Sequence, residues 1–146
     1  YYCAAFGVAT VADDSGLAVD KLEGAPGVYS ARYAGPGCTY ADNNRKLLEA
    51  LAGSPWYERT ARFVCCAAFL EPGGTPHLEI GLVEGHIASA PTGTQGFGYD
   101  PVFVPTGHDR TFGEMSPAEK HQISHRGRAF AQLRQYLEHQ YLEPMS

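Results

Sequence analysis

Long apolar runs are missing from this sequence of 146 residues. No stretch approaches the roughly 20 apolar residues that a membrane-spanning helix needs. A charged segment followed by an apolar one, the pattern of a signal peptide, is also missing. We therefore expect the cytoplasm as the location. An apolar share of 44% with 18% charged residues is typical of an ordinary folded domain and excludes a disordered chain.

An excess of basic residues is also lacking, because the formal net charge is -5. Bulk electrostatics therefore gives no attraction to a polyanion such as DNA, and we expect no nucleic-acid partner. A small phosphate ligand is not excluded by this balance, since it needs only local donors or a metal ion. The charge thus leaves nucleotides open as substrates.

Paired-cysteine zinc motifs are absent from the sequence, which has four cysteines and six histidines. There is no CxxC or HExxH and no Cys/His pair at ligand spacing, and the one HxxxH pair is His121 with His125. Cys65 and Cys66 are adjacent within an apolar run, so we predict that both are small buried residues. A disulfide framework is not expected, which fits a reducing compartment.

The chain begins without Met, directly in an apolar stretch. Tyr2 and Phe6 are four residues apart and Gly7 can close a helix, so the pattern predicts the last turns of a helix at this end. We expect from this that the sequence is N-terminally incomplete.

Strand and helix patterns alternate along the rest of the chain. Thr60–Leu70 is the strongest strand, and its nearly continuous apolar character predicts a central position covered on both faces. His77–Val83 follows as its hairpin partner, and Glu84–Ala90 is a third strand candidate. Thr39–Ala52 and His125–Tyr141 carry helical apolar stripes. The sequence therefore predicts an α/β or α+β architecture.

The first candidate for chemistry is the acidic segment Asp13–Gly16, which follows the β-prone run Val8–Ala12 and is rich in turn formers. Carboxylates at the end of a strand suit Mg²⁺, and a carboxylate beside that ion can accept a proton from an attacking water. Adjacent side chains diverge, so we expect one of the two aspartates to reach the metal. The alternative is a solvated turn with no chemistry.

Two further segments are candidates for binding. Glycines flank Phe97 in Gly96–Pro101, so the backbone can approach a ligand closely while the ring offers a stacking face; the alternative is a tight turn with its aromatics in the core. Lys120 and the helix start at Ser124–Arg128 combine cations with helix N–H groups, which makes an anion or carbonyl site. Plain exposed polar residues are the alternative there.

Together these segments resemble the inosine triphosphatase family, the non-canonical purine nucleoside triphosphate pyrophosphatases. The motifs that carry the resemblance occur in the family's order and span nearly the whole chain: Val11–Asp20, Gly24–Gly35, Asn43–Leu48, Ala61–Phe63, Gly96–Phe103 and Ser124–Ala129.

The resemblance implies an α/β fold of the inosine-triphosphatase-like (Maf-like) type. Its elongated mixed β-sheet would be flanked by helices, with the active site in a central cleft between two lobes, and the protein would be a homodimer. Residues 1–146 would form a single domain that lacks the family's N-terminal strand and phosphate-binding loop. The implied reaction is Mg²⁺-dependent hydrolysis of ITP, dITP and XTP to the monophosphate and pyrophosphate.

The resemblance also implies roles for individual residues. Asp14 corresponds to the general base and metal-associated carboxylate. The expected substrate contacts are Ser15, Phe97, Gly98, Tyr99, Asp100, Lys120, His125 and Arg126. Phe97 would be the stacking face. A donor from Arg126 or His125 to the carbonyl at purine position 6 would reject adenine, which presents an amino group there.

One family motif, a Thr/Ser-x-Asn-x-x-Lys loop that holds the triphosphate, is not found in these 146 residues. The alternative function is therefore a catalytically inactive purine-nucleotide-binding fragment or module.

Overall fold

A five-stranded sheet organises the protein in the computed structural model, which describes residues 1–142. The last four residues of the predicted domain lie outside the described part. The strand order is β2-β1-β3-β4-β5. The strands are β1 Thr10–Val19, β2 Pro26–Gly27, β3 Thr60–Leu70, β4 His77–Ile87 and β5 Phe103–Pro105.

Four α-helices accompany the sheet: α1 Tyr2–Phe6, α2 Tyr40–Ala50, α3 Pro117–Ile123 and α4 His125–Tyr141. Gly7 ends α1 in the left-handed conformation at φ 64°, as the sequence predicts. Among residues 1–142, no helix combines the length and the apolar character that crossing a bilayer requires.

The predicted strand Thr60–Leu70 is confirmed as β3, the middle strand of the sheet. Its burial alternates: Ala61, Phe63, Cys65 and Ala67 are buried, and the residues between them are half-exposed. The prediction that both faces are covered is therefore wrong for the described residues. The prediction that Cys65 and Cys66 are both buried is also wrong, because Cys65 is buried and Cys66 is only partly buried.

The predicted turn at Asp13–Gly16 is also wrong, because all four residues lie inside β1. Asp13 pairs with Ala67 and Asp14 with Cys66, in an unbroken antiparallel register from Thr10 to Val19. The ladder to the strongly apolar β3 provides backbone partners for this segment. Its turn propensity is a local preference that this long-range pairing overrides.

The hairpin after β3 is confirmed, but the third strand predicted at Glu84–Ala90 is not separate. β4 continues without a break from His77 to Ile87 and pairs with β3 along nearly its full length. All the strand pairs among the described residues are antiparallel, whereas the resemblance implied a mixed sheet. The predicted class, an α/β fold with a sheet flanked by helices, is confirmed.

Two apolar clusters form on the buried face of the sheet. The larger one joins strand residues such as Leu17 and Phe63 to Leu47 of α2 and to Phe112. The smaller one joins Cys65 and Ala67 to the α4 residues Ala129 and Leu133. The helix α4 thus anchors one end of this face and α2 the other.

The predicted helix start at Ser116 is confirmed. The Ser116 side chain accepts from the Glu119 N–H, and the Glu119 carboxylate accepts from the Ser116 N–H, which is a capping box. α2 begins in the same way, with Thr39 and Asp42 in the two roles. Both helix starts border the cavities described next, so these caps fix their walls.

Candidate active site

Two adjoining cavities lie between β1 and the start of α4, and we name them the inner and the outer cavity. The inner cavity has a volume of about 170 Å³. It is lined by Ser15, Gly16, Leu17, Ser30, Ala31, Tyr40, Asn43, Phe63, Phe97, Gly98, Tyr99, Asp100, Lys120 and His125. The outer cavity has a volume of about 480 Å³. It is lined by Asp13, Asp14, Ser15, Gly96, Phe97, Met115, Pro117, Lys120, His121, Ser124, His125 and Arg126.

All nine residues that the resemblance assigned to the site line one cavity or both. Asp14 and Arg126 belong to the outer cavity, whereas Gly98, Tyr99 and Asp100 belong to the inner one. The remaining four stand where the two meet: Ser15, Phe97, Lys120 and His125. Segments more than 100 residues apart in sequence are thereby brought together.

The two neighbouring aspartates of β1 have different surroundings. Asp13 is ion-paired, with 3.1 Å between its Oδ2 and the Nε of Arg126. The side chain of Asp14 alternates away from that of Asp13, as neighbours in a strand do. Among the described residues the Asp14 carboxylate makes no hydrogen bond or ion pair, and it is exposed at the outer cavity. Asp14 is therefore the carboxylate that is available to a ligand.

Asp100 and Lys120 form a buried ion pair at the wall of the inner cavity. The Nζ of Lys120 donates to the Oδ2 of Asp100 at 2.6 Å, and the Phe97 N–H donates to the same oxygen at 3.0 Å. Asp100 is only 2% exposed. In this arrangement its carboxylate is occupied by protein donors, so it shapes the loop and places Lys120.

Gly96 makes that loop conformation accessible. Its φ is +71°, and a Cβ there would lie 2.0 Å from the Oδ2 of Asp100. A side chain at this position would be strained and would displace the carboxylate. The glycine flanking Phe97 thus serves a close approach, as the sequence pattern indicated, although the approaching group is Asp100.

His125 begins α4 and is buried against Phe63, with 4.6 Å between ring centroids and 13° between ring planes. Burial, together with the nearby charges of Lys120 and Arg126, lowers the pKa of His125 to about 4. The ring is therefore neutral near pH 7. Its Nδ1 is buried and has no hydrogen-bond partner among the described residues, so this atom can bond to a ligand.

The position of His125 depends on Gly81 of β4. A Cβ at Gly81 would lie 2.0 Å from the carbonyl oxygen of His125 and 2.5 Å from the Ala129 nitrogen. Only a glycine lets the start of α4 approach the sheet this closely. The depth of both cavities is thus set by a residue that lines neither of them.

Several residues of the inner wall had no role in the sequence-based hypothesis. The Tyr99 hydroxyl donates to the Ser30 carbonyl at 2.7 Å, and the Ser30 hydroxyl accepts from the Leu17 N–H at 2.9 Å. Asn43 holds the following loop, because its Oδ1 accepts from the Ala34 N–H at 2.7 Å. These bonds tie the Gly96–Pro101 loop, β1 and α2 to one another.

Asn44 makes a similar link from α2, since its Nδ2 donates to the Gly98 carbonyl at 3.1 Å. The sequence offered a signal for both asparagines only through the family motif Asn43–Leu48. Nothing in the local pattern indicated Ser30 or Tyr40, because their partners are brought near only by the fold.

The sequence model of the Ham1 family matches residues 1–136. The chain belongs to the Ham1 family. Among similar proteins is a dITP/XTP pyrophosphatase of Oceanobacillus iheyensis, 47% identical over 132 residues that cover 90% of this chain and 67% of that protein. Another is a dITP/XTP pyrophosphatase of Caulobacter vibrioides, 49% identical over 128 residues that cover 88% of this chain and 66% of that protein.

Solved structures of this family have the same fold. The Ham1 protein of Staphylococcus aureus superposes with a TM-score of 0.87 at 41% identity, and the match covers 93% of this chain and 70% of that one. The chain thus spans about two thirds of the length of the curated relatives, at 67% and 66% of the first two. The family motifs and the two cavities lie within the shared part.

Proposed function

We propose that the protein hydrolyses non-canonical purine nucleoside triphosphates, namely ITP, dITP and XTP, to the monophosphate and pyrophosphate. The observation that carries the proposal is the pairing of two cavities. One is lined by rings and fixed donors, and the other is lined by the exposed Asp14, whose carboxylate has no partner among residues 1–142. The printed names of the relatives, dITP/XTP pyrophosphatases, support this substrate class.

In this proposal the purine enters the inner cavity and the phosphates extend into the outer one. Phe97 offers its ring to the base at the junction. Two cations lie near this position, Lys120 at the junction and Arg126 in the outer cavity, and both can only donate hydrogen bonds. A purine with a carbonyl at position 6 accepts from such donors, whereas the amino group of adenine does not, so ATP is discriminated against.

Asp14 is the general base in this mechanism. One carboxylate oxygen accepts a proton from the water that attacks the α-phosphorus; the bond from that phosphorus to the bridging oxygen breaks, and pyrophosphate leaves with the electron pair. Ser15 and His125 line the path from the base to Asp14 and hold the substrate by hydrogen bonds. The water oxygen remains on the nucleoside monophosphate.

Asp14 fits one ligand position of a Mg²⁺ ion, because that ion takes one or two carboxylates and completes its shell with water and phosphate oxygens. No group of three or more His, Cys, Asp or Glu side chains within residues 1–142 is arranged as a metal cage. The ion would therefore be held jointly by Asp14 and the substrate. When bound, it would neutralise phosphate charge and polarise the phosphoryl group.

The test compares steady-state release of pyrophosphate by the full-length protein from ITP, XTP, ATP and GTP, with Mg²⁺ and with the ion chelated. We expect kcat/KM for ITP and XTP to exceed that for ATP by at least about 100-fold, since a site built for one hydrogen-bonding pattern rejects its reverse strongly. Equal turnover of all four nucleotides would refute the specificity. Binding of ITP without hydrolysis would support the inactive binding module instead.

We also propose a cytoplasmic homodimer. The four cysteines are all free, which fits a reducing compartment. Leu78, Ile80 and Leu82 form an exposed apolar row on β4, which supports burial against a second copy. Sedimentation velocity tests the assembly. A wild-type dimer that Ile80→Glu converts to monomers is expected, and a monomeric wild type would refute it.

A further inference from the structure

Two exposed aromatic rings face each other across the mouth of the inner cavity. Tyr40 and Phe97 both line this cavity, and each is 59% exposed. Their ring centroids are 6.5 Å apart and their planes are inclined by 45°. Single exposed aromatics need no explanation, but an exposed pair that brackets a cavity leaves apolar surface facing one shared space.

The distance between the two rings is close to that of two rings with one flat ring between them. Atoms in van der Waals contact lie about 3.5 Å apart, so a flat ring inserted between two others needs them about 7 Å apart. The observed 6.5 Å, at a tilt of 45°, lies within the range of direct tilted aromatic pairs and is close to the spacing of such a sandwich. Rotation of either exposed ring to bring the planes parallel would admit one flat heterocycle between them.

The two walls are held by different means. Tyr40 is the first residue of α2, and the capping box of Thr39 and Asp42 fixes the helix at this point. Phe97 stands on the loop that the Asp100 carboxylate holds through the Phe97 N–H. One wall therefore rests on a capped helix and the other on a loop that a buried carboxylate holds.

We propose that Tyr40 is the second wall of an aromatic clamp that holds the purine against Phe97. This inference rests on the proposed function for the identity of the base. Stacking tolerates any flat base, because every base presents a π-face. The clamp therefore supplies affinity for purines in general, and the donors at the junction of the cavities supply the choice among them.

The competing structural role for Tyr40 is to pin the base-binding loop by apolar contact with Phe97. Three substitutions separate the two roles. Tyr40→Phe keeps the flat ring, Tyr40→Leu keeps apolar bulk without a π-face, and Tyr40→Ala removes both. Tyr57→Ala is the matched control, since Tyr57 is another exposed tyrosine and lines neither cavity.

The experiment measures the dissociation constant of inosine monophosphate by titration calorimetry and the KM and kcat for ITP, using the full-length protein. We expect Tyr40→Ala and Tyr40→Leu to weaken binding of the monophosphate about tenfold and to raise KM by a similar factor. Tyr40→Phe and Tyr57→Ala should remain within about twofold of wild type. The value of kcat should change little, because stacking is uniform between ground and transition states.

Binding of inorganic triphosphate, which has no base, should be equal in all variants. A Tyr40→Leu protein that matches wild type would overturn the clamp in favour of loop pinning. A Tyr40→Ala protein with wild-type affinity would overturn both roles of Tyr40. Wild-type protein that binds inosine monophosphate through Tyr40 but does not hydrolyse ITP would refute the proposed reaction and leave the clamp standing.

Discussion

The inner and outer cavities adjoin, yet they are built in opposite ways. Around the inner one, two polar side chains are already bonded: Asp100 to Lys120, and Tyr99 to the Ser30 carbonyl. Around the outer one, Asp14 is exposed and makes no bond among residues 1–142, and Arg126 is 55% exposed although it pairs with Asp13.

Under the proposed function, this difference in construction assigns recognition of the base to the inner cavity and the reaction to the outer one. A cavity wall whose hydrogen bonds are made before a ligand binds can select the ligand's shape with little loss of conformational entropy. An exposed carboxylate keeps its full capacity to accept a proton or to coordinate a cation. We therefore expect changes at the inner cavity to alter stability and KM, and changes at the outer cavity to alter kcat.

The largest expected effect is at Asp14. Asp14→Asn removes the proposed base and should lower kcat for ITP by about 10²- to 10⁴-fold while the dissociation constant of inosine monophosphate stays within a few-fold. Stopped assays of pyrophosphate release measure this. Asp13→Asn is the matched control, because it alters the neighbouring carboxylate that pairs with Arg126. An Asp14→Asn protein with normal turnover would remove Asp14 from the mechanism.

The next effect concerns the buried ion pair. Asp100→Ala removes the buried partner of Lys120, whose side chain is only 16% exposed, and should lower the free energy of unfolding by about 3 kcal/mol. Glu138→Ala, which breaks the exposed pair with Arg134, should lower it far less, because solvent screens exposed ion pairs. Urea denaturation compares the two variants. Equal losses would mean that the inner wall is no more tightly built than the surface.

The pH dependence of stability should report on His125. Its folded pKa of about 4 lies below the unfolded value of about 6.5, so the unfolded state binds the extra proton between these limits. This contribution, on the order of 3 kcal/mol, is fully present above pH 6.5 and is lost as the pH falls towards 4. Urea denaturation at pH 7, 5.5 and 4.5 measures it. His125→Gln should show a flatter profile, and parallel profiles would contradict the assignment.

The smallest effect is expected at Tyr99. Tyr99→Phe deletes the hydroxyl that donates to the Ser30 carbonyl at 2.7 Å and should cost about 1 kcal/mol of stability. KM for ITP should rise a few-fold with kcat nearly unchanged, because the hydroxyl orients the inner wall only. A larger fall in kcat than rise in KM would show that the two cavities are coupled more closely than their construction indicates.

The helices were predictable because their signals are local. Ser116 and Glu119 encode the start of α3 within four residues, and the stripe from His125 to Tyr141 encodes α4. The segment Asp13–Gly16 shows the limit of such signals. Its residues favour a turn, and only the pairing of Asp14 with Cys66, 52 residues further along the chain, makes it a strand.

The residues of the site were predictable from motifs, but the hydrogen bonds and ion pairs among them were not. Family motifs indicated Asp14, Phe97 and His125, and all three line one or both cavities. The bond from Tyr99 to Ser30 joins residues 69 apart, and no periodicity or spacing encodes such a contact. The ion pair of Asp100 could not be predicted for the same reason, because its partner Lys120 lies on another element.

Gly81 offers a way to alter both cavities from a position that lines neither of them. Since the absence of one Cβ lets the start of α4 settle onto β4, any side chain there would raise His125 and the cavity floor together. An engineer who wishes to accommodate bulkier bases can therefore work from the far side of the helix, leaving every substrate-facing residue in its natural form. By the same reasoning, a natural substitution at position 81 would alter the range of accepted substrates while the catalytic motifs stayed unchanged.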